Sequence, residues 1–402
     1  MKPELLSPAG DLEKLKFAFT YGADAVYMGG KTLGMRAKAK NFDSDDLEEG
    51  ICFAHSLGKK IYITANIFAH NADLVGIEDY FRHLQKIGAD ALIISDPGVF
   101  SIAKKVVPEM EVHISTQANC TNTYSASFWQ KLGAKRVVLA RELSLHEISE
   151  IKVPGLALEA FVHGAMCMAY SGRCLISNFL SERDANKGHC SQPCRWKYSV
   201  VEEKSGETLK LYESENGAHI FSSRDLCMVG HIPDLVNAGV ESFKIEGRMK
   251  TPYYVAVATK IYREAIDDFS HDPGVYESKL GYYCNELSRI GQREYTTGFY
   301  YGKVTGKSHA YGLDADFRKQ DFLAVVLEYD VKTGMATIEQ RNKFTCKDKV
   351  EIFTPKDVRT ARVNKLWNTK GEEVSHAPHP KEVLITDLGV SVNKFDILRK
   401  MP

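Results

Sequence analysis

From the N-terminus to about residue 250 the chain alternates between two hydrophobic patterns. Amphipathic stretches of 3.6-residue period, such as LEKLKFAFTY, DLEEGICFAHSL and IEDYFRHLQKI, predict helices. Between them lie short, almost continuous apolar runs: PELLSPAG, DAVYMGG, KIYITAN, DALIISD, EVHISTQ, RVVLARE, ALEAFVHG and SFKIEGR. Such runs read as strands of a parallel sheet, buried on both faces. The junction repeats as well. An apolar residue and a Gly precede the strand in YGADAVYMG, LGKKIYITAN, IGADALIISD, LGAKRVVLAR and AGVESFKIEG. Each Gly predicts a helix C-cap, and Ser144-Leu-His-Glu147 predicts a capping box. Eight parallel strands with helical crossovers predict a (β/α)8 barrel of the TIM type. A doubly wound open sheet is the alternative. The count of eight and the missing G-x-G-x-x-G after the first strand argue against it.

Two departures from this rhythm predict the domain organisation. The seventh strand ends near His163 and the eighth begins near Ser242, a gap far longer than a βα loop needs. Residues from about 164 to 240 therefore read as a Cys-rich insertion between strands 7 and 8, on the face where barrel active sites sit. The barrel spans 1–270 and ends in the helix TPYYVAVATKIYREAIDDF; polar, Tyr-rich sequence over 271–320 reads as a linker. From 321 to 402 the period falls to two, in FLAVVLEYD, MATIEQR, KVEIFTP, TARVNKLWN and VLITDLG, which predicts a small C-terminal β-barrel domain.

Charge narrows the partners. Lys+Arg and Asp+Glu both number 52, so no global field attracts nucleic acid. RNA contact would need local basic or aromatic patches, for which KTLGMRAKAK, CRWKY and the C-terminal domain are the candidates. The first residues, MKPELLSPAGDLEKL, hold no apolar core of signal-peptide length, and no run of about 18 apolar residues occurs. The expectation is a cytoplasmic protein without a membrane span.

Chemistry concentrates between Glu159 and Trp196. Four of the nine cysteines lie there, at 167, 174, 190 and 194, and Cys227 follows in SSRDLC. The spacings are C-x6-C, C-x15-C and C-x3-C, with none of the C-x-x-C pairs that build compact zinc knuckles. Long spacings suit an iron–sulfur cluster, and zinc is the alternative metal. Cys52, Cys120, Cys284 and Cys346 read as structural thiols. Ser7, Asn66, Asp96, Gln117, Arg141, Glu142, His163, Glu246 and Arg248 stand at predicted strand ends, and Arg36 lies in the basic loop after strand two. Any one of them could merely cap a loop; together they form a polar rim. No H-E-x-x-H or G-x-S-x-G motif supports a peptidase, and pairing His163 with Cys167 is a weak signal.

The run Glu159-x-Phe161-x-x-Gly164-Ala165-Met166-Cys167-x4-Gly172-x-Cys174-x-Ile176-Ser177 resembles the signature of the collagenase-like peptidase family U32. SQPCRWKY, SSRDLC and FKIEGRMK resemble it too. The resemblance implies either the peptidase chemistry that named the family or oxygen-independent hydroxylation of RNA or ubiquinone precursors. In the latter branch prephenate is the oxygen donor and four cysteines bind a 4Fe–4S cluster. The chain most resembles members that convert the tRNA wobble uridine to 5-hydroxyuridine. The implied ligands are Cys167, Cys174 and Cys190, with Cys227 favoured as the fourth and Cys194 as the alternative. A dicarboxylate such as prephenate calls for bidentate cations, so Arg36, Arg141, Arg173 and Arg248 are its candidate clamps, beside Gln117 and Asn66. His163 and Glu246 are the candidates for proton transfer. A third reading is a non-catalytic RNA-binding or assembly factor with a structural metal. Expected partners are tRNA and prephenate, with a protein partner or homo-oligomer left open.

Overall fold

The computed structural model describes residues 2–30, 41–167, 169–196, 200–201, 208–209, 224–291, 293–302 and 321–401. Arg36 lies outside them. The eight apolar runs form β1 (Glu4–Pro8), β2 (Ala25–Met28), β3 (Lys60–Ala65), β4 (Ala91–Ile94), β5 (Glu111–Ile114), β6 (Arg136–Val138), β7 (Ala157–Ala165) and β8 (Ser242–Ile245). Each pairs in parallel with the next, and Ser242 of β8 pairs with both Glu159 of β7 and Glu4 of β1, closing the barrel. Helices α1 (Leu12–Thr20) to α6 (Leu145–Glu150) fill the crossovers between β1 and β7, and the Ser144–Glu147 capping box forms as the sequence predicts. No helix among the described residues is long and apolar enough to cross a membrane.

The barrel interior is divided. Leu6, Ala25, Tyr27, Tyr62, Ala91 and Ile93 form a buried apolar cluster. Charges stand on the strands around the closing seam. Glu159 is fully buried and receives Lys244 Nζ at 2.8 Å and Arg136 Nη1 at 2.9 Å. Arg136 also reaches Glu4 at 2.6 Å, and the Ser242 hydroxyl donates to Glu4 at 3.0 Å. Burial raises the Glu159 carboxyl, but the two cations outweigh it and hold the group down to about 2.

β7 is longer than its neighbours because it leaves the barrel. A short antiparallel strand, Asp225–Cys227, pairs with its last residues, setting Cys227 opposite His163. Among its described residues the inserted segment carries α7 (Ile176–Ser181) before α8 (Ile232–Asn237) leads into β8. After β8, α9 (Pro252–His271) covers the barrel wall. The expected linker contains helices: α10 (Pro273–Ser278) and α11 (Leu280–Ser288) lie against α9 because Tyr276, Tyr283 and Leu287 are buried there.

The C-terminal unit is a seven-stranded antiparallel sheet. Its edge strands, Val358–Arg362 and Lys365–Asn368, do not pair with each other, so the sheet is a half-barrel rather than the closed one expected. Ile338, Val350, Ile352, Leu366, Leu384 and Leu398 centre its core. The strand Ile397–Lys400, which joins the two halves of the sheet, was not among the predicted strands.

Candidate active site

The C-terminal ends of β3, β5, β6, β7 and β8 bring most of the predicted polar residues to one face. Asn66 follows β3 and Gln117 follows β5; the Asn66 amide donates to Gln117 Oε1 at 2.8 Å and to Ser115 Oγ at 3.2 Å. Arg173 comes from the insertion, donates Nε to the Gln117 carbonyl at 3.1 Å and lies over the Phe68 ring. Arg141, after β6, donates to the Ala165 carbonyl at 3.1 Å and lies over Phe161. The Tyr27 hydroxyl reaches both the Ile245 carbonyl at 2.9 Å and Glu246 Oε2 at 3.2 Å. These residues ring the mouth.

The insertion is tethered above this ring as a cap. Glu142 accepts from Ser171 twice, from its N–H at 2.6 Å and its hydroxyl at 2.7 Å. Lys187 pairs with Asp73 at 2.8 Å, and the Phe68 N–H reaches the Asn186 carbonyl. Inside the cap, Ser177, Ser181 and Ser191 share hydroxyl contacts that fasten α7 to the segment after Cys190. The four cap cysteines are half-buried. The Gln192 N–H points at Cys190 Sγ, 3.3 Å away, the kind of donor that supports a sulfur ligand.

Other predicted residues make different contacts. Arg248 is 2% exposed; it donates to Asn41 Oδ1 at 2.8 Å and to Thr64 Oγ1 at 3.2 Å. A Cβ on Gly29 would stand 2.3 Å from its guanidinium, so that glycine makes room for the arginine. Arg248 thus links β8 to the loop after β2 and to β3. Ser7 turns outward and shares a hydrogen bond with Thr259 of α9. Asp96 caps α4 (Pro97–Val106) by accepting from the Val99 N–H. His163 is 1% exposed and faces Tyr254, Tyr262 and Tyr295, with ring centroids 5.3–5.8 Å away. A register shift between Lys244 and Ile245 accompanies this turn. Burial lowers the His163 ring to about 3, so it stays neutral at ordinary pH. Cys227 shares this surrounding: its Sγ lies 3.8 Å from the Tyr262 hydroxyl, and burial pushes its thiol up to about 11.

Among the described residues no three His, Cys, Asp or Glu side chains are gathered as a metal-binding group. The half-buried sulfurs of Cys167, Cys174, Cys190 and Cys194 come from separated points of the chain, the type of donor that an iron–sulfur cluster takes. Sequence reasoning missed the Glu4–Arg136–Glu159–Lys244 network. Its signal was present: charged residues interrupt otherwise apolar strands in ALEAFVHG and SFKIEG. It also missed Tyr27 and Ser171, which have no local pattern to mark them.

The profile described as Peptidase family U32 matches residues 10–310, and that of the Peptidase family U32 C-terminal domain matches 318–399. The chain belongs to peptidase family U32. Within the U32 family it is 40% identical over 401 residues to "tRNA hydroxylation protein P1" of Bacillus subtilis, covering 99% of this chain and 95% of the relative. It is 39% identical to the Escherichia coli "23S rRNA 5-hydroxycytidine C2501 synthase", over 67% of this chain and 40% of the relative. It is also 34% identical to a Porphyromonas gingivalis "Collagenase", over 84% of this chain and 82% of the relative. The U32 family name thus spans RNA-modifying and proteolytic descriptions.

Proposed function

We propose that this U32 protein is an RNA-modifying enzyme that hydroxylates C5 of the tRNA wobble uridine, without oxygen, taking the hydroxyl oxygen from prephenate. The observation that carries the reading is the end-to-end similarity to the Bacillus subtilis tRNA hydroxylation protein. The tethered, cysteine-bearing cap over a polar barrel mouth supports it. Cys167, Cys174, Cys190 and Cys227 would hold a 4Fe–4S cluster, with Cys194 the alternative fourth ligand. When bound, such a cluster supplies one-electron redox chemistry.

The chain's own residues divide the remaining work. Arg141 and Arg173 present guanidinium groups at the mouth, where planar forks suit the two carboxylates of prephenate. Asn66 and Gln117 fix the floor beneath them. Glu246, steadied by Tyr27, would take the proton that leaves C5. A cytoplasmic location follows from a tRNA substrate. The enclosed, neutral His163 argues against a Cys167–His163 peptidase pair, which needs a base that solvent and substrate can reach.

Nucleoside mass spectrometry of tRNA from a deletion strain tests the reading. Loss of 5-hydroxyuridine, restored by the intact gene, is expected. Unchanged tRNA together with peptide cleavage by the purified protein would establish the peptidase instead. Unchanged tRNA, one bound zinc and no cleavage would leave a non-catalytic binding factor.

A further inference from the structure

His163 is 1% exposed, and among the described residues neither of its ring nitrogens has a hydrogen-bond partner. A polar ring buried in this way costs free energy, so it calls for a partner that binding brings. The side chains around it do not fill that need. Tyr262 gives its proton to the Val162 carbonyl at 2.7 Å, Tyr254 to the Glu246 carbonyl at 2.9 Å and Tyr295 to the Leu287 carbonyl at 2.8 Å. A phenol has one proton to give, so all three hydroxyls are spent as donors. A buried water needs several polar partners of its own, and this surrounding of engaged phenols supplies few.

Cys227 is the neighbour that changes character on binding. It lies directly opposite His163 where Asp225–Cys227 pairs with the end of β7. Opposed residues of an antiparallel pair project from one face, with Cβ atoms about 4.5–5.5 Å apart. Tyr262 borders both side chains. Its ring centroid lies 5.4 Å from that of His163, and its hydroxyl oxygen lies 3.8 Å from Cys227 Sγ. A thiol sulfur is a weak acceptor, whereas a thiolate bound to iron is a charged one that draws donors to it. With the Tyr262 proton on Val162, the N–H of a neutral imidazole is the donor left for that sulfur.

We propose that His163 is a positioning residue that donates a ring N–H to the Cys227 sulfur once that sulfur binds the cluster, and so raises the cluster's reduction potential. This rests on the cluster reading given above and adds what sets the cluster's redox balance. Reduction adds one electron, and the added negative charge is shared with the ligand sulfurs. An N–H aimed at one of them stabilises the reduced form more than the oxidised form. His163 itself exchanges neither a proton nor an electron in this role.

Redox titration of the full-length protein, prepared anaerobically and followed by electron paramagnetic resonance of the reduced cluster, tests the proposal. His163→Phe keeps an aromatic ring and removes both nitrogens. It is expected to hold as much iron as the parent and to shift the balance against the reduced cluster about tenfold, which for one electron is a potential about 59 mV lower. His163→Gln restores an N–H and should fall between that value and the parent's. Tyr262→Phe should move the potential less than His163→Phe does. If His163→Phe holds no iron, His163→Met takes its place, since it keeps bulk without an N–H. A parental potential in the iron-loaded Phe or Met variant overturns the proposal. So does a larger shift in Tyr262→Phe, which would make the phenol the donor. Parental iron content and potential in Cys227→Ser also overturn it, because that sulfur is then no ligand. A parent protein without iron and sulfide would refute the cluster reading itself, a result distinct from the others.

Discussion

At the scale of single residues, Glu159 is where charge and stability meet most directly. Its carboxylate lies between Lys244 and Arg136, with Glu4 and His113 also nearby. Removing the charge strips buried Lys244 of its carboxylate and leaves Arg136 with Glu4. Glu159→Gln should therefore lower unfolding stability by about 3–5 kcal/mol in urea titrations. The parent's dependence on pH has a definite sign. The carboxyl falls from 4.5 to about 2 on folding, so its contribution is complete above about pH 4.5 and fades as pH drops toward 2. The parent should lose stability through that window more steeply than Glu159→Gln does. Parallel slopes would show that the network does not hold the proton off. The arginines divide in the same way. Arg141 stands at the mouth and Arg248 is built into the wall. Arg141→Lys should weaken prephenate binding by at least about tenfold in calorimetry, on the order of 1.4 kcal/mol. Arg248→Lys should show its effect in thermal stability, because it loses the fork that spans Asn41 and Thr64. The opposite pattern would exchange their roles.

At the scale of elements, the cap depends on a few contacts with the loops beneath it. Glu142 satisfies both the N–H and the hydroxyl of fully buried Ser171. Glu142→Ala strips both partners at a cost of about 1–3 kcal/mol. Hydrogen exchange should speed up across 166–196 while β1–β5 stay protected; uniform acceleration would mean that the cap is not a separate unit. Ligand choice belongs here too. Cys167→Ser, Cys174→Ser and Cys190→Ser should each abolish bound iron in anaerobic preparations, and Cys227→Ser should do the same. Cys194→Ser should only reduce it. The reverse order for the last two would make the cap self-sufficient for metal. The barrel was legible in the sequence because its strands are short, largely apolar runs and several helices end at a Gly, such as Gly22, Gly58, Gly88 or Gly133, all at positive φ. The cap's tethers were not legible. Ser171–Glu142 and Arg173–Gln117 join residues 29 and 56 positions apart, and such pairs leave no periodic trace. The orientation of His163 was not legible for a related reason. Alternation along β7 would turn it inward with Phe161, whereas the register shift opposite β8 lets it face Tyr254 and Tyr262 instead.

At the scale of the molecule, the chain divides into two compact units, and the boundary near residue 318 coincides with the change in sequence period. A chain with separate cores does not have to unfold as one unit. Differential scanning calorimetry should give a calorimetric enthalpy larger than the van't Hoff value; equality would mean that the units melt together. The C-terminal strands were legible from their period of two, as in MATIEQ with its alternating burial. Ile397–Lys400 escaped because it is only four residues long and half of it is charged, although Arg399 is fully buried against Glu351.

Closure of the barrel by β1 and β8 also has a consequence in time. One edge of β1 finds its partner only after more than 230 further residues have been made. At about 5–20 residues per second, that is a wait on the order of ten to fifty seconds on the ribosome. An open strand edge is a template for mispairing, and an inward-pointing charge is one way to guard it. Glu4 sits at the start of that strand, facing the space where the barrel will close. It keeps the edge ionised until Arg136, and then Ser242, arrive to receive it.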